Sequence, residues 1–175
     1  MTSNVPTPVA VDMLDSLLQL QPGTAEHALR HARDKVVSAT QASHALFFAA
    51  EGHKLSLYER LWVAYYAAYL TPQAALAAHY LEHLQAEGLD SAVLASLHSG
   101  NLDALENVRL GAILTFTRTL IQSPRHGDQT ALRALQQAGL GTEEVVVLAQ
   151  LIAYLSYQVR LAAGLGALFA TGDAA

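Results

Sequence analysis

The chain has 175 residues, of which 52% are hydrophobic and only 14% charged, and it carries a formal net charge of −5 with no cysteine. That length suits one domain whose core stands without disulfides or metal staples. The acidic balance and scattered Lys and Arg exclude electrostatic binding to nucleic acid or an anionic membrane surface, and the absent thiols exclude cysteine nucleophiles and disulfide exchange. So few charges on a chain of this size point to apolar surface hidden between subunits, and a homo-oligomer is expected. The opening residues MTSNVPTPVAVDM lack a basic start and an unbroken apolar run, and the closing LFATGDAA carries no anchor or retrieval pattern, so a cytoplasmic protein is expected. Leu61 to Leu70 and Leu161 to Ala170 are apolar but of buried-helix length, shorter than the roughly 18 residues a membrane span needs.

Met1 to Pro8, with two prolines and small polar residues, reads as a flexible N-terminal arm ahead of a single domain over residues 9–172. The first helix is expected at about Val9 to Leu20, ended by Pro22-Gly23-Thr24, where Thr24 caps the next. From Ala25 a helical pattern continues, with a break near Ser38-Ala39-Thr40. Ser56 followed three residues later by Glu59 is a capping-box spacing at the head of an aromatic-rich helix. Thr71-Pro72 reads as a cap and first-turn proline, giving a helix from Pro72 to Glu87 stopped by Gly88. Further helices are expected over Asp90 to His98, Asp103 to Gln122, Gln129 to Ala138 and Thr142 to Phe169, the last with Thr142 as cap and Glu143-Glu144 in its first turn. No hairpin signal interrupts them. The expectation is an all-α, single-domain bundle of seven or eight helices.

The segment Leu55 to Gly88, LSLYERLWVAYYAAYLTPQAALAAHYLEHLQAEG, places Glu59 near the start of one helix and His79 on the next, after a break at Thr71-Pro72. This arrangement resembles the carboxymuconolactone decarboxylase and alkylhydroperoxidase D superfamily. So does the stretch Leu110 to Leu165, with its Ser-Pro break, LRALQQAGLG turn and long closing helix, while Thr40-Gln41-Ala42-Ser43 is similar to the longer peroxidase-related members. The resemblance covers more than half of the chain and implies an alkylhydroperoxidase D-like helical fold that assembles as a dimer, trimer or hexamer with its site near a subunit interface. It also implies Glu59 as proton relay and His79 as the histidine that follows a Cys-x-x-Cys dithiol. Those cysteines would fall at Pro72 and Ala75, and the further histidine of some peroxidases at Ala74. The interval from Glu59 to His79 is one residue longer than the peroxidase pattern. With no thiol, the antioxidant peroxidase mechanism is closed to this protein.

His79-Tyr80-Leu81-Glu82-His83 spells the inverted zinc-peptidase motif, with two imidazoles one turn apart. Such a site needs a third protein ligand, and Glu143 and Glu144 already read as helix-start charge, so no metal and no cofactor is expected; His79 and His83 are the alternative metal pair. His27 and His31, also one turn apart, read as a solvated helix face, and His44, His53, His98 and His126 lack a local partner that suggests a role. Trp62, Tyr65, Tyr66 and Tyr69 recur at helical spacing beside Tyr58 and read first as core packing. Tyr65, Tyr66 and Tyr69, with Arg160, are nonetheless candidates for binding a small organic molecule, and Tyr154, Tyr157 and Arg160 for an anion-binding wall. Two functions follow: a metal-free acid/base enzyme in which Glu59 and His79 exchange protons with a small carbonyl or lactone compound, or a non-catalytic binding or accessory subunit, partnered by a cysteine-bearing homologue.

Overall fold

Oxygen-bearing side chains start most of the helices. In the computed structural model, which describes residues 12–172, Asp12 accepts from first-turn amides of α1 (Met13–Leu17) and Thr24 from α2 (Ala25–His31). After α3 (Asp34–Phe47), which has no side-chain cap, Ser56 opens α4 (Leu57–Leu70) with the reciprocal capping box read in the sequence: its hydroxyl accepts from the Glu59 amide and Glu59 accepts from the Ser56 amide. Then follow α5 (Ala74–Ala86), α6 (Ser91–Ser99) capped by Asp90, α7 (Val108–Gln122) capped by Asn107, α8 (Gln129–Gln137) capped by Asp128, and α9 (Thr142–Gly172). Among the described residues this makes nine α-helices, joined by short turns and two 3-10 helices, with no strand.

The all-α reading holds, with nine α-helices among the described residues against the seven or eight expected. The pattern after Ala25 breaks at Ala32-Arg33, not at Ser38-Ala39-Thr40, which lies inside α3, where Thr40 hydrogen-bonds back to the Val36 carbonyl. The helix expected from Asp103 becomes a 3-10 helix (Leu102–Ala104) and then α7, since Asn107 caps the Leu110 amide and restarts the chain. Thr71 does not cap α5. Its hydroxyl closes α4 by donating to the Ala67 carbonyl at 2.7 Å, and α5 begins at Ala74 after an uncapped Gln73. Thr142 is helical from the outset, and the amide of Gly141 is taken by Glu144 at 2.7 Å instead. The arm at residues 1–8 and the first residues of the expected opening helix lie outside the described residues.

α4 organises the core. Its residues from Arg60 to Ala68 are all buried, so it is apolar around its whole circumference and packs against α5, α7 and α9. One apolar cluster runs from Met13 through Leu61, Trp62, Ile113 and Leu151 to Ala162. A helix over Thr142–Ala170 is long and apolar enough to cross a membrane by length and composition, which the shorter apolar run noted in the sequence did not anticipate. Its Leu148, Leu151, Ile152 and Leu155 face the core, as a central helix of a bundle also requires.

A buried arginine fastens α3 to α4. Arg60 is 1% exposed, and its guanidinium donates to the carbonyls of Phe47, Ala49, Leu55 and Ser56, pinning the connection between the two helices. A second polar chain crosses the core: the Tyr80 hydroxyl donates to Gln158 Oε1 at 2.7 Å, Gln158 Nε2 donates to the Tyr154 hydroxyl at 3.2 Å, and that hydroxyl donates to the Thr40 carbonyl. These two networks tie α3 to α4, α5 and α9.

Candidate functional site

His79 lines a cavity of about 270 Å³ together with His44, His83, Phe48 and Tyr80, with Leu57 and Leu61 of α4 as its floor. α5 supplies His79 and His83 from successive turns, their rings 4.7 Å apart between centroids. α3 supplies His44 from its last turn, 6.3 Å from the His79 ring, and Phe48 makes tilted ring contacts with His44 (4.9 Å) and Tyr80 (5.2 Å). Arg60 fixes this wall by holding the chain that leaves α3 at Phe47 and Ala49.

The Nε2 atoms of His44 and His79 are both buried and neither has a hydrogen-bond partner. Unpaired buried nitrogens of this kind are costly, and in a cavity they are the groups a ligand would satisfy. Burial, then the nearby His79 and His83, lower the His44 pKa from 6.5 to about 4. Burial and His83 also lower that of His79, with Glu82 opposing. Both imidazoles are thus neutral at pH 7, each offering one lone pair and one N–H, and repulsion between them lets the pair accept one proton far more readily than two. Phe48, Leu57 and Leu61 give the cavity apolar walls and Glu87 adds a carboxylate to its lining, which suits a small molecule with both apolar and polar parts.

Glu59 does not line this cavity. Its Oε2 is held by the capping box and its Oε1 by Arg109 Nε at 2.6 Å, while Arg109 Nη2 reaches Glu144 at 2.7 Å, so the carboxylate ties together the starts of α4, α7 and α9. The tyrosines do not gather at His79 either. Tyr65 bonds His98 Nε2 at 2.7 Å and Tyr69 stacks on the same imidazole at 4.9 Å, whereas Tyr66 is buried against Arg118. Tyr154 and Tyr157 line one pocket with Lys35 and Thr40, and both bond Thr40, whereas Arg160 is exposed, donates to the Ser156 carbonyl of its own helix and does not line that pocket.

His44 is the residue the sequence did not disclose: it lies in a helix terminus, and nothing local couples it to His79. The alternative pair His79 and His83 gains this third imidazole, but their donor atoms are not drawn together. Among the described residues, the His, Asp and Glu group whose ligand atoms all lie within 4.8 Å of one another is Asp15, His27 and His31. The latter two are therefore not the solvated helix face expected, since each turns its Nε2 toward a buried carboxylate on α1. No protein-family model matches this sequence, and no similar protein was found among curated ones.

Proposed function

We propose that the cavity between α3 and α5 binds a small organic molecule bearing a carbonyl or lactone group and moves a proton on it without thiol or metal. His79 acts as the acid/base residue and His44 as the second hydrogen-bonding imidazole. The observation that carries this reading is the pair of buried Nε2 atoms without a hydrogen-bond partner on two residues that line one cavity. A neutral imidazole whose proton affinity is reduced by burial takes a proton from an acidified carbon and returns it readily, and its apolar surroundings strengthen each hydrogen bond to the developing oxyanion. Glu59 enters as a structural residue in this scheme, replaced near the chemistry by His44.

The pattern of Leu55 to Gly88 and the all-helical fold are consistent with a dithiol-free relative of the carboxymuconolactone decarboxylase and alkylhydroperoxidase D superfamily. A cytoplasmic homo-oligomer fits the same reading, supported by apolar side chains left in contact with solvent at Leu46 (64%) and Val108 (71%). The test is solvent deuterium exchange into a panel of small 1,3-dicarbonyls and lactones. Wild-type protein should accelerate exchange at the carbon next to the carbonyl, His79→Gln should abolish the acceleration, and the variant should keep its far-UV circular dichroism. Equal rates in the two proteins would sink the reading. A compound that shifts the imidazole resonances of His44 and His79 without exchange would instead favour a non-catalytic binding protein.

A further inference from the structure

Asp15 is 8% exposed, and its two carboxylate oxygens face opposite groups. Oδ2 lies 2.7 Å from His31 Nε2 and 3.8 Å from His27 Nε2. Oδ1 has no hydrogen-bond partner, its nearest cation being Arg30 Nε at 3.9 Å. Arg30 is itself 7% exposed, with Nε and Nη2 unpartnered, and its Nη2 stands 3.8 Å from Asp12. A carboxylate and a guanidinium this deeply buried normally close into paired hydrogen bonds, so separations near 4 Å leave the acid only partly satisfied.

His27 and His31 stack with centroids 4.1 Å apart and planes within 12°, which presents both Nε2 atoms to the same oxygen. In a tetrahedral centre with bonds of about 2.05 Å, neighbouring donor atoms are about 3.3 Å apart. The two nitrogen-to-oxygen distances fall on either side of that value and the three donor atoms lie within 4.8 Å of one another, so side-chain adjustment alone would bring them onto one ion. Asp12, Asp15 and Asp34 outnumber Arg30 around the cavity of about 970 Å³ onto which the group opens, a balance that favours a divalent cation.

We propose that Asp15, His27 and His31 form a binding site for a divalent first-row transition cation of the zinc type, separate from the His79 cavity. Two imidazoles and one carboxylate suit zinc, cobalt or nickel better than magnesium or calcium, which take oxygen donors. Asp15, His27 and His31 line the cavity of about 970 Å³, so a fourth ligand would be solvent or a small molecule.

The experiment uses metal-stripped full-length protein titrated with cobalt(II), read by its visible absorption, and with zinc(II) in competition with a chromophoric chelator. One equivalent should bind. Substituting both His27→Gln and His31→Gln should weaken zinc by at least about 100-fold, while His79→Gln leaves the affinity unchanged. Long-range nitrogen–proton spectra of the wild type should show zinc shifting the His27 and His31 imidazoles, a readout that holds even if the double variant folds poorly. The proposal is overturned if zinc at about 100 μM does not bind, if the double variant binds as wild type does, or if the shifted resonances belong to His79 and His83.

Discussion

Replacing His44 with Gln should flatten the acid limb of the stability curve. In the folded chain, burial and the neighbouring His79 and His83 keep the His44 ring neutral down to about pH 4, against an ordinary value of 6.5. Between those values the unfolded chain binds the proton and the folded chain does not, so the folded state loses stability as pH falls; the contribution is intact above pH 6.5 and gone near pH 4. At about 1.4 kcal/mol per tenfold change in proton affinity, the ceiling is about 3 kcal/mol, and the ring's residual contact with water reduces the expected effect to about 2 kcal/mol. The other ionisable groups are common to both proteins and cancel in the difference. Urea unfolding, followed by circular dichroism from about pH 7.5 to about pH 4.5, gives that difference directly. The advantage of wild type over His44→Gln should shrink by about 2 kcal/mol across the interval. Parallel curves would mean that His44 titrates normally, and the neutral-imidazole cavity would have to be abandoned.

Glu59→Gln keeps most of the capping box but loses the Arg109 pair, which is partly exposed, so it should cost only about 1 kcal/mol and leave the His79 resonances in place; loss of proton exchange with unchanged stability would return Glu59 to the chemistry. Arg60→Met strands the carbonyls of Phe47, Ala49 and Leu55 in the interior and should destabilise by about 3 kcal/mol or more, with the His44 resonances shifting as the α3–α4 connection loosens. A loss below about 1 kcal/mol in urea unfolding would show that water satisfies those carbonyls. Tyr80→Phe removes the donor to Gln158 Oε1 inside the core and should cost about 1–2 kcal/mol, seen as a drop of several degrees in thermal midpoint; an unchanged midpoint would show that Gln158 finds another donor.

Signals that act within one turn of chain were legible in the sequence. The Ser56–Glu59 capping box is one, and the left-handed turn at Gly88 (φ 89°) that stops α5 is another, since both depend only on neighbouring residues. Thr71-Pro72 shows the limit of that logic. A threonine ahead of a proline is a good helix start locally, but the Thr71 hydroxyl found the Ala67 carbonyl of the helix it follows, which ends α4 and leaves α5 to begin uncapped. The break at Arg33 was misplaced for a similar reason, because the charged residues around it fit a helix equally well on either side. His44 could not be assigned from local pattern at all: only the packing of α3 against α5 makes it a neighbour of His79.

The two histidine pairs make the same point about chemistry. His27/His31 and His79/His83 have identical one-turn spacing, and from spacing alone each is an equal candidate for binding a cation. Their third partners separate them. α1 places a buried carboxylate against the first pair, a negative charge that any cation would neutralise. α3 places another imidazole and Phe48 against the second, where burial and mutual repulsion outweigh the opposing Glu82 and disfavour added positive charge, although Glu87 also lines the cavity. Moving a carboxylate to the second pair tests this argument: His44→Asp should raise the proton affinity of His79 toward the ordinary range and improve zinc binding there. If the His79 titration, followed by its imidazole resonances, stays where it was, then burial alone sets its chemistry and the identity of the third partner does not matter.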